Sequence, residues 1–165
     1  MIISPIQNNA IFNLNWIQTR PTVTQKFGNV LPIYTNSGLR GHPGYDFRAA
    51  VGTPLFAPIE GQMTVHENNS LGLHVKINNG RLMALLAHLS DVYVNVGTFI
   101  RLGEPLGLSG NTGISTAPHL HIALYKVNGN GKILDLNNGY GGSFDFLKYM
   151  ITWRGTCLTN ILSSS

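Results

Sequence analysis

Three short segments of this chain carry residues that could do chemistry. The first is Arg40-Gly41-His42-Pro43-Gly44-Tyr45-Asp46, the second Ala87-His88-Leu89, the third Ser115-Thr116-Ala117-Pro118-His119-Leu120-His121. His119 and His121 are two apart. In an extended segment they project from one face of a sheet, with β-carbons about 6–7 Å from each other. That spacing suits one imidazole on a metal and the other near the water the metal holds. His42 and Asp46 are a second pair of potential ligands. In a straight strand they would lie about 13 Å apart, too far to share an ion. Pro43-Gly44 argues against a helix and has to fold the segment back. A zinc hydrolase needs three protein ligands and an open position for water, together with groups that move protons. Imidazole titrates near neutrality, so His88 and His119 are the candidates for that second task.

The elements that must position these residues read as strands. Val23 to Phe27 alternates as a first strand, and 28–41 is a loop. Pro54 to Ala57 and Gln62 to Val65 flank a turn at 58–61. Leu71, Leu73, Val75 and Ile77 alternate with polar residues as a half-buried strand, Asn79-Gly80 is a hairpin turn, and Arg81 to Leu89 returns. Strict alternation puts His88 on the face opposite Ala87 and Leu89. Pro105 to Ser109 and His119 to Lys126 complete the set of longer strands, around a short strand near residue 100. Phe144 to Tyr149 is expected as a short helix with Ser143 as N-cap. His74, on the polar side of its strand beside Lys76, is expected to face solvent. His66 is expected at a strand end, in a turn, and the two are not expected to form a second metal site. Tyr34 is a candidate hydrogen-bond donor to a tetrahedral intermediate; Tyr45 is expected to pack.

The same segments resemble the lysostaphin/LytM family of zinc metallopeptidases, which cut peptide bonds in bacterial peptidoglycan. The likeness rests on Gly41-His42-Pro43-Gly44-Tyr45-Asp46, on Leu86-Ala87-His88-Leu89, and on Gly110-Asn111-Thr112-Gly113-Ile114-Ser115-Thr116-Ala117-Pro118-His119-Leu120-His121. It extends over about residues 21–125. The resemblance implies that His42, Asp46 and His121 are the zinc ligands and that His88 and His119 are catalytic. It implies a mainly β fold: a single antiparallel, sheet-rich domain of the lysostaphin/LytM (duplicated hybrid motif-like) type with little helix. Loops 28–41, 66–72, 110–118 and 137–142 are expected to wall a groove around the zinc. The sequence departs from many relatives at Leu86, where they have Tyr, and at Ile122-Ala123, where they have an aromatic residue and Glu.

The chain has 165 residues, enough for one domain with a real core. The expected division is an extension at 1–20, the peptidase domain at 21–155 and a tail at 156–165. A formal charge of +4 favours anionic wall polymers mildly. No basic cluster with interleaved aromatics points to nucleic acid. No apolar run reaches the roughly 20 residues of a membrane span. Cys157 is single, which excludes a disulfide within the chain. The start lacks the pattern of a secretory signal, so delivery by a larger particle such as a phage tail is an expectation, with virion proteins as partners docking on the termini. The alternatives are a non-catalytic protein using the same groove, and a related zinc carboxypeptidase or dipeptidase.

Overall fold

The computed structural model describes residues 22–147 apart from positions 94 and 96. The terminal extension, the tail with Cys157 and the end of the expected helix at 144–149 lie outside the described residues. Nine strands and one short helix are described: β1 (Val23–Gln25), α1 (Pro32–Thr35), β2 (Tyr45–Arg48), β3 (Pro54–Phe56), β4 (Gly61–Asn68), β5 (Gly72–Asn78), β6 (Leu82–Val92), β7 (Phe99–Ile100), β8 (Pro105–Ser109) and β9 (His119–Lys126). All pair antiparallel in the order β1-β2-β9-β6-β5-β4-β7, with β8 joining β6 to β3. The mainly β architecture expected from the sequence is therefore present. The span 28–41 is not all loop: Pro32 opens the single-turn helix α1 at a position where its missing N–H costs nothing.

Alternation gives the central strands two different faces. Tyr45 and Phe47, Val75 and Ile77, Ala84 and Leu86, and Leu120, Ile122 and Leu124 all enter one apolar core with Leu55, Met63, Leu106 and Phe146. Each such large side chain contributes about 1.5–3 kcal/mol by leaving water. The opposite face carries Asp46, His119 and His121, with a small apolar patch of Leu85, Ala87 and Ala123 under Leu71 and Tyr125. The register puts these in line, since Asp46 faces His121 and His121 faces Ala87.

Strict alternation fails at His88. Leu73 faces Leu89 and Val75 faces Leu86, so three steps along β6 match two along β5. The extra residue is a β-bulge, and His88 takes it up with φ of 64°. Leu86 and Leu89 both reach the core, while Ala87 and His88 serve the other face. The expected helix does not begin at Phe144: residues 144–146 are irregular, and of the described part only Leu147 has 3₁₀ geometry. Ser143 bridges Tyr125 instead, its hydroxyl donates to the Tyr140 carbonyl, and the Phe144 amide donates to the Leu124 carbonyl. This short pairing with β9 leads the chain to Phe146, whose burial in the core outweighs any local helical preference.

Candidate metal centre

His42, Asp46 and His121 converge although they come from a bend and two strands. The bend at Pro43–Gly44 turns His42 back over β2, so its Nε2 lies 3.2 Å from Asp46 Oδ1. Gly44 allows this by having no side chain. A Cβ there would sit 2.3 Å from the Ile122 carbonyl oxygen and 2.7 Å from the His121 ring. His121 Nδ1 lies 2.9 Å from Asp46 Oδ1 and 3.0 Å from His42 Nε2. The three residues are buried, His42 to 1% exposure. Among the described residues this is the one group of three that could share an ion.

The chemistry of this donor set fits zinc. Three electron-rich atoms form a triangle about 3 Å on edge, and one proton can bridge only one edge. A tetrahedral zinc with bonds of about 2.0–2.1 Å sets its ligand atoms about 3.3 Å apart. His42 Nδ1 donates to the Lys26 carbonyl at 3.3 Å, which leaves Nε2 with its lone pair toward the site. Burial alone would raise the Asp46 carboxyl. The imidazoles of His121 and His42 beside it outweigh that and hold the group well below the usual carboxylate range. Burial lowers His121, against the opposing pull of Asp46, and favours the neutral imidazole a metal requires.

His88 and His119 stand beside this triangle. Their ring centroids are 4.6 Å apart, and His88 is 6.2 Å from the His121 ring. His119 Nδ1 donates to the Ala117 carbonyl at 2.8 Å, with Ser115 Oγ at 3.1 Å. Its Nε2 lies 3.7 Å from Asp46 Oδ2, close but beyond a hydrogen bond. His88 Nδ1 donates to the Thr112 carbonyl at 2.7 Å. Carbonyls only accept, so both rings carry their proton on Nδ1 and offer Nε2 to the site. Burial pushes His88 down to about 4, the bond to Thr112 opposing in part. All five residues singled out in the sequence are thus in one place.

The segments expected as loops pair with one another, although in 66–72 only residues 69–71 are loop, because β4 runs to Asn68 and β5 starts at Gly72. Arg40 donates its amide to the Gly139 carbonyl, joining 28–41 to 137–142, and Ile114 donates to Ser70, joining 110–118 to 66–72. Tyr34 lies with its ring 5.1 Å from His42 and its hydroxyl accepting from Gln25 at 2.8 Å. Burial, then the Asp46 charge, pushes it up to about 12, so it keeps its proton. Tyr45 packs edge-on against Phe146 and donates to Asp145. Residue types alone gave no sign of the Lys26, Thr112 and Ala117 carbonyls that orient three of the rings. Backbone acceptors are set by the fold and not by side-chain identity.

Two expectations are corrected on the far strands. His74 is not solvent-facing but 2% exposed. The polar side of β5 belongs to the site face of the sheet, and there His74 is bonded to the Gly72 carbonyl and stacked on His66 at 5.4 Å. His66 is exposed, yet it lies within β4 and faces His74 directly, not in a turn.

Residues 40–136 match Peptidase family M23. The peptidoglycan DD-endopeptidase ShyA of Vibrio cholerae is 39% identical over 85 residues, which are 50% of this chain and 20% of that protein. Lysostaphin of Staphylococcus simulans is 38% identical over 96 residues, 54% of this chain and 19% of that protein. The chain thus spans about a fifth of the length of these relatives. The solved catalytic domain of lysostaphin superimposes with a TM-score of 0.63 at 27% identity, covering 77% of this chain and 90% of the domain. The catalytic domain of a prophage-encoded M23 protein, EnpA of Enterococcus faecalis, gives 0.57 at 30% identity, covering 73% of this chain and 92% of that one.

Proposed function

The chain belongs to peptidase family M23, and from that premise we propose that it hydrolyses peptide bonds in bacterial peptidoglycan as a zinc endopeptidase. The observation that carries the reading is the buried His42–Asp46–His121 triangle with two further imidazoles beside it. His42, Asp46 and His121 hold the ion, the carboxylate offsetting part of its charge. When bound, zinc supplies a lowered pKa for water and polarises the scissile carbonyl.

The remaining steps fall to this chain's own groups. His88 and His119 present Nε2 on the same side of the site, and that atom receives the proton released in the attack. The same imidazole pair returns a proton to the leaving amine. The bond from Nδ1 to a backbone carbonyl in each favours this ring orientation and tautomer. Tyr34 retains its proton and is placed to donate to the developing oxyanion. The interlocked segments 28–41 with 137–142 and 66–72 with 110–118 form the two walls between which an extended peptide lies.

Digestion of isolated sacculi tests this reading. New amino groups and shortened muropeptides should appear with zinc present and vanish with a chelator. His88→Ala and His119→Ala should retain one zinc and lose activity by roughly 10²–10⁴-fold. Walls with glycyl cross-bridges and walls with diaminopimelate links are digested in parallel, and fragment masses report the bond that is cut. Release of single terminal residues without cross-link cleavage would make the protein a carboxypeptidase. No zinc-dependent cleavage of any wall would overturn the proposal.

We propose further that the protein acts at the wall as part of a larger particle, such as a phage tail. The likeness to a prophage-encoded M23 protein supports this, as does a charge of only +4 for holding anionic polymers. Free protein should then digest isolated peptidoglycan but lyse intact cells poorly. Strong lysis from outside at physiological salt would overturn it.

A further inference from the structure

Thr112 sits where three segments meet, and its contacts all lead to His88. Leu73 and Leu89 are register partners on β5 and β6, just past the bulge. The Thr112 hydroxyl stands between them. Its Oγ1 accepts the Leu73 amide at 3.1 Å and donates to the Leu89 carbonyl at 2.8 Å. A side chain from a distant loop thus completes the ladder across the bulge. The carbonyl of the same residue accepts His88 Nδ1–H at 2.7 Å. The His88 amide, in turn, donates to the Leu71 carbonyl at 3.0 Å. His88 is therefore gripped at its ring by Thr112 and at its backbone by the segment that Thr112 clasps.

Two glycines make room for this clasp. A Cβ on Gly72 would lie 2.3 Å from Thr112 Oγ1, and one on Gly113 would lie 2.3 Å from the Gly72 nitrogen. Both glycines have left-handed φ, of 61° and 73°. The two backbones meet with nothing between them. The clasp is needed because His88 itself has φ of 64°, a conformation that persists in a non-glycine residue only where its surroundings over-determine it.

We propose that Thr112 is a positioning residue that holds His88 in its bulged conformation and Nδ1–H tautomer, so that Nε2 faces the reacting groups. This rests on the reading of His88 as a proton-transfer group. Thr112→Val keeps the shape and removes the hydroxyl; Thr112→Ser keeps the hydroxyl. Displacement of a reacting group by about 1 Å can cost about 10² in rate. Thr112→Val should therefore lower kcat about 10–100-fold, with KM within about twofold and zinc content unchanged. Thr112→Ser should stay within about threefold of the parent.

Long-range nitrogen–proton correlation of the imidazoles gives a readout apart from activity. His88 should be the Nδ1–H tautomer in the parent and in Thr112→Ser, and a mixture in Thr112→Val. A folded Thr112→Val with parental kcat and tautomer overturns the proposal, as does a Thr112→Ser loss equal to that of Val. If Val does not fold, Thr112→Ala takes its place. If neither folds while Ser does, Thr112 is a fold residue and the positioning role is rejected. Should the parent hydrolyse no wall, the tautomer comparison still decides the role of Thr112, and only the assigned reaction fails.

Discussion

One sheet face carries two groups of histidines that differ in almost everything but residue type. At the bend before β2 and across β2, β9 and β6 stand His42, His119, His121 and His88 with Asp46 among them; across β5 and β4 stand His74 and His66. In the first group the His42 and His121 rings are tilted by 57°, and their nitrogens approach to 3.0 Å over a shared carboxylate. In the second the rings are nearly parallel, at 22° and 5.4 Å. An imidazole lone pair lies in the plane of its ring. Tilted rings can aim two lone pairs at one point, whereas stacked rings aim theirs side by side. Histidine proximity is therefore not a metal site; convergence around a negative charge is.

The sharpest way to break this contrast is to remove the convergence. Asp46→Ala leaves two neutral imidazoles, and His121→Ala leaves one imidazole and the carboxylate. Either should empty the site of zinc and reduce wall hydrolysis to background. The loss of affinity should exceed the roughly 10–100-fold that loss of a ligand's outer hydrogen bond costs. Metal analysis after dialysis checks it. One zinc per chain in both variants would mean that the ligands are other residues.

Protons provide the second break. His88 has its folded pKa lowered from 6.5 to about 4, chiefly by burial. Above pH 6.5 both folded and unfolded chains hold this ring neutral, and stability is at its full value. Between 6.5 and about 4 the unfolded chain binds the proton first, so stability falls with acid; below about 4 this contribution is spent. Asp46 is depressed too and acts in the same direction, at lower pH. Urea titrations of metal-free protein should give a midpoint that drops from pH 7 to pH 4, and His88→Gln should flatten the upper part of that drop. A midpoint that rises on acidification would contradict the burial of a neutral His88.

Which of these features was legible in the sequence follows from how local each one is. The strand His119–Lys126 needs only its own alternation, and the sequence bounds it where the structure does. The return of His42 on Asp46 needed only the Pro-Gly bend. His88 required more. Its direction depends on a bulge that adds one residue against β5, and a bulge is a property of two strands. A trace was present, since Leu86 and Leu89 are three apart and cannot both point inward in an unbroken strand. His74 was misplaced because a polar strand face was equated with solvent. Here the polar face is the site side of the sheet, where His74 bonds the Gly72 carbonyl and stacks on His66. Ser143 followed the local signal for an N-cap, yet Tyr125 claims it for the sheet.

His74 should therefore behave as a structural residue. His74→Ala deletes a buried ring that bonds the Gly72 carbonyl at 2.9 Å. Leaving a buried polar partner unpaired costs about 1–3 kcal/mol. Equilibrium unfolding should register that loss while the zinc content stays at one per chain. Since Gly72 abuts Thr112, a modest fall in kcat is expected as well. An unchanged unfolding midpoint would show that the ring does not support the turn.

His66 should give the smallest effect and the cleanest contrast. It is exposed, and its Nε2 lies 2.9 Å from the Thr64 hydroxyl, within its own strand. Its stacking partner already uses Nδ1 on the Gly72 carbonyl. Burial, then Lys76 and His74, lowers the His66 pKa, so the pair presents two neutral rings with no carboxylate between them. Such a pair offers a divalent ion at most two nitrogens, not aimed at one point, and nothing to offset its charge. Zinc added to the parent should saturate at one equivalent, and His66→Ala should saturate at the same value. Its unfolding free energy should move by no more than about 0.5 kcal/mol, as for an ordinary surface substitution. A second equivalent bound by the parent and lost in His66→Ala would break the comparison, because stacked imidazoles would then have held a metal without convergence.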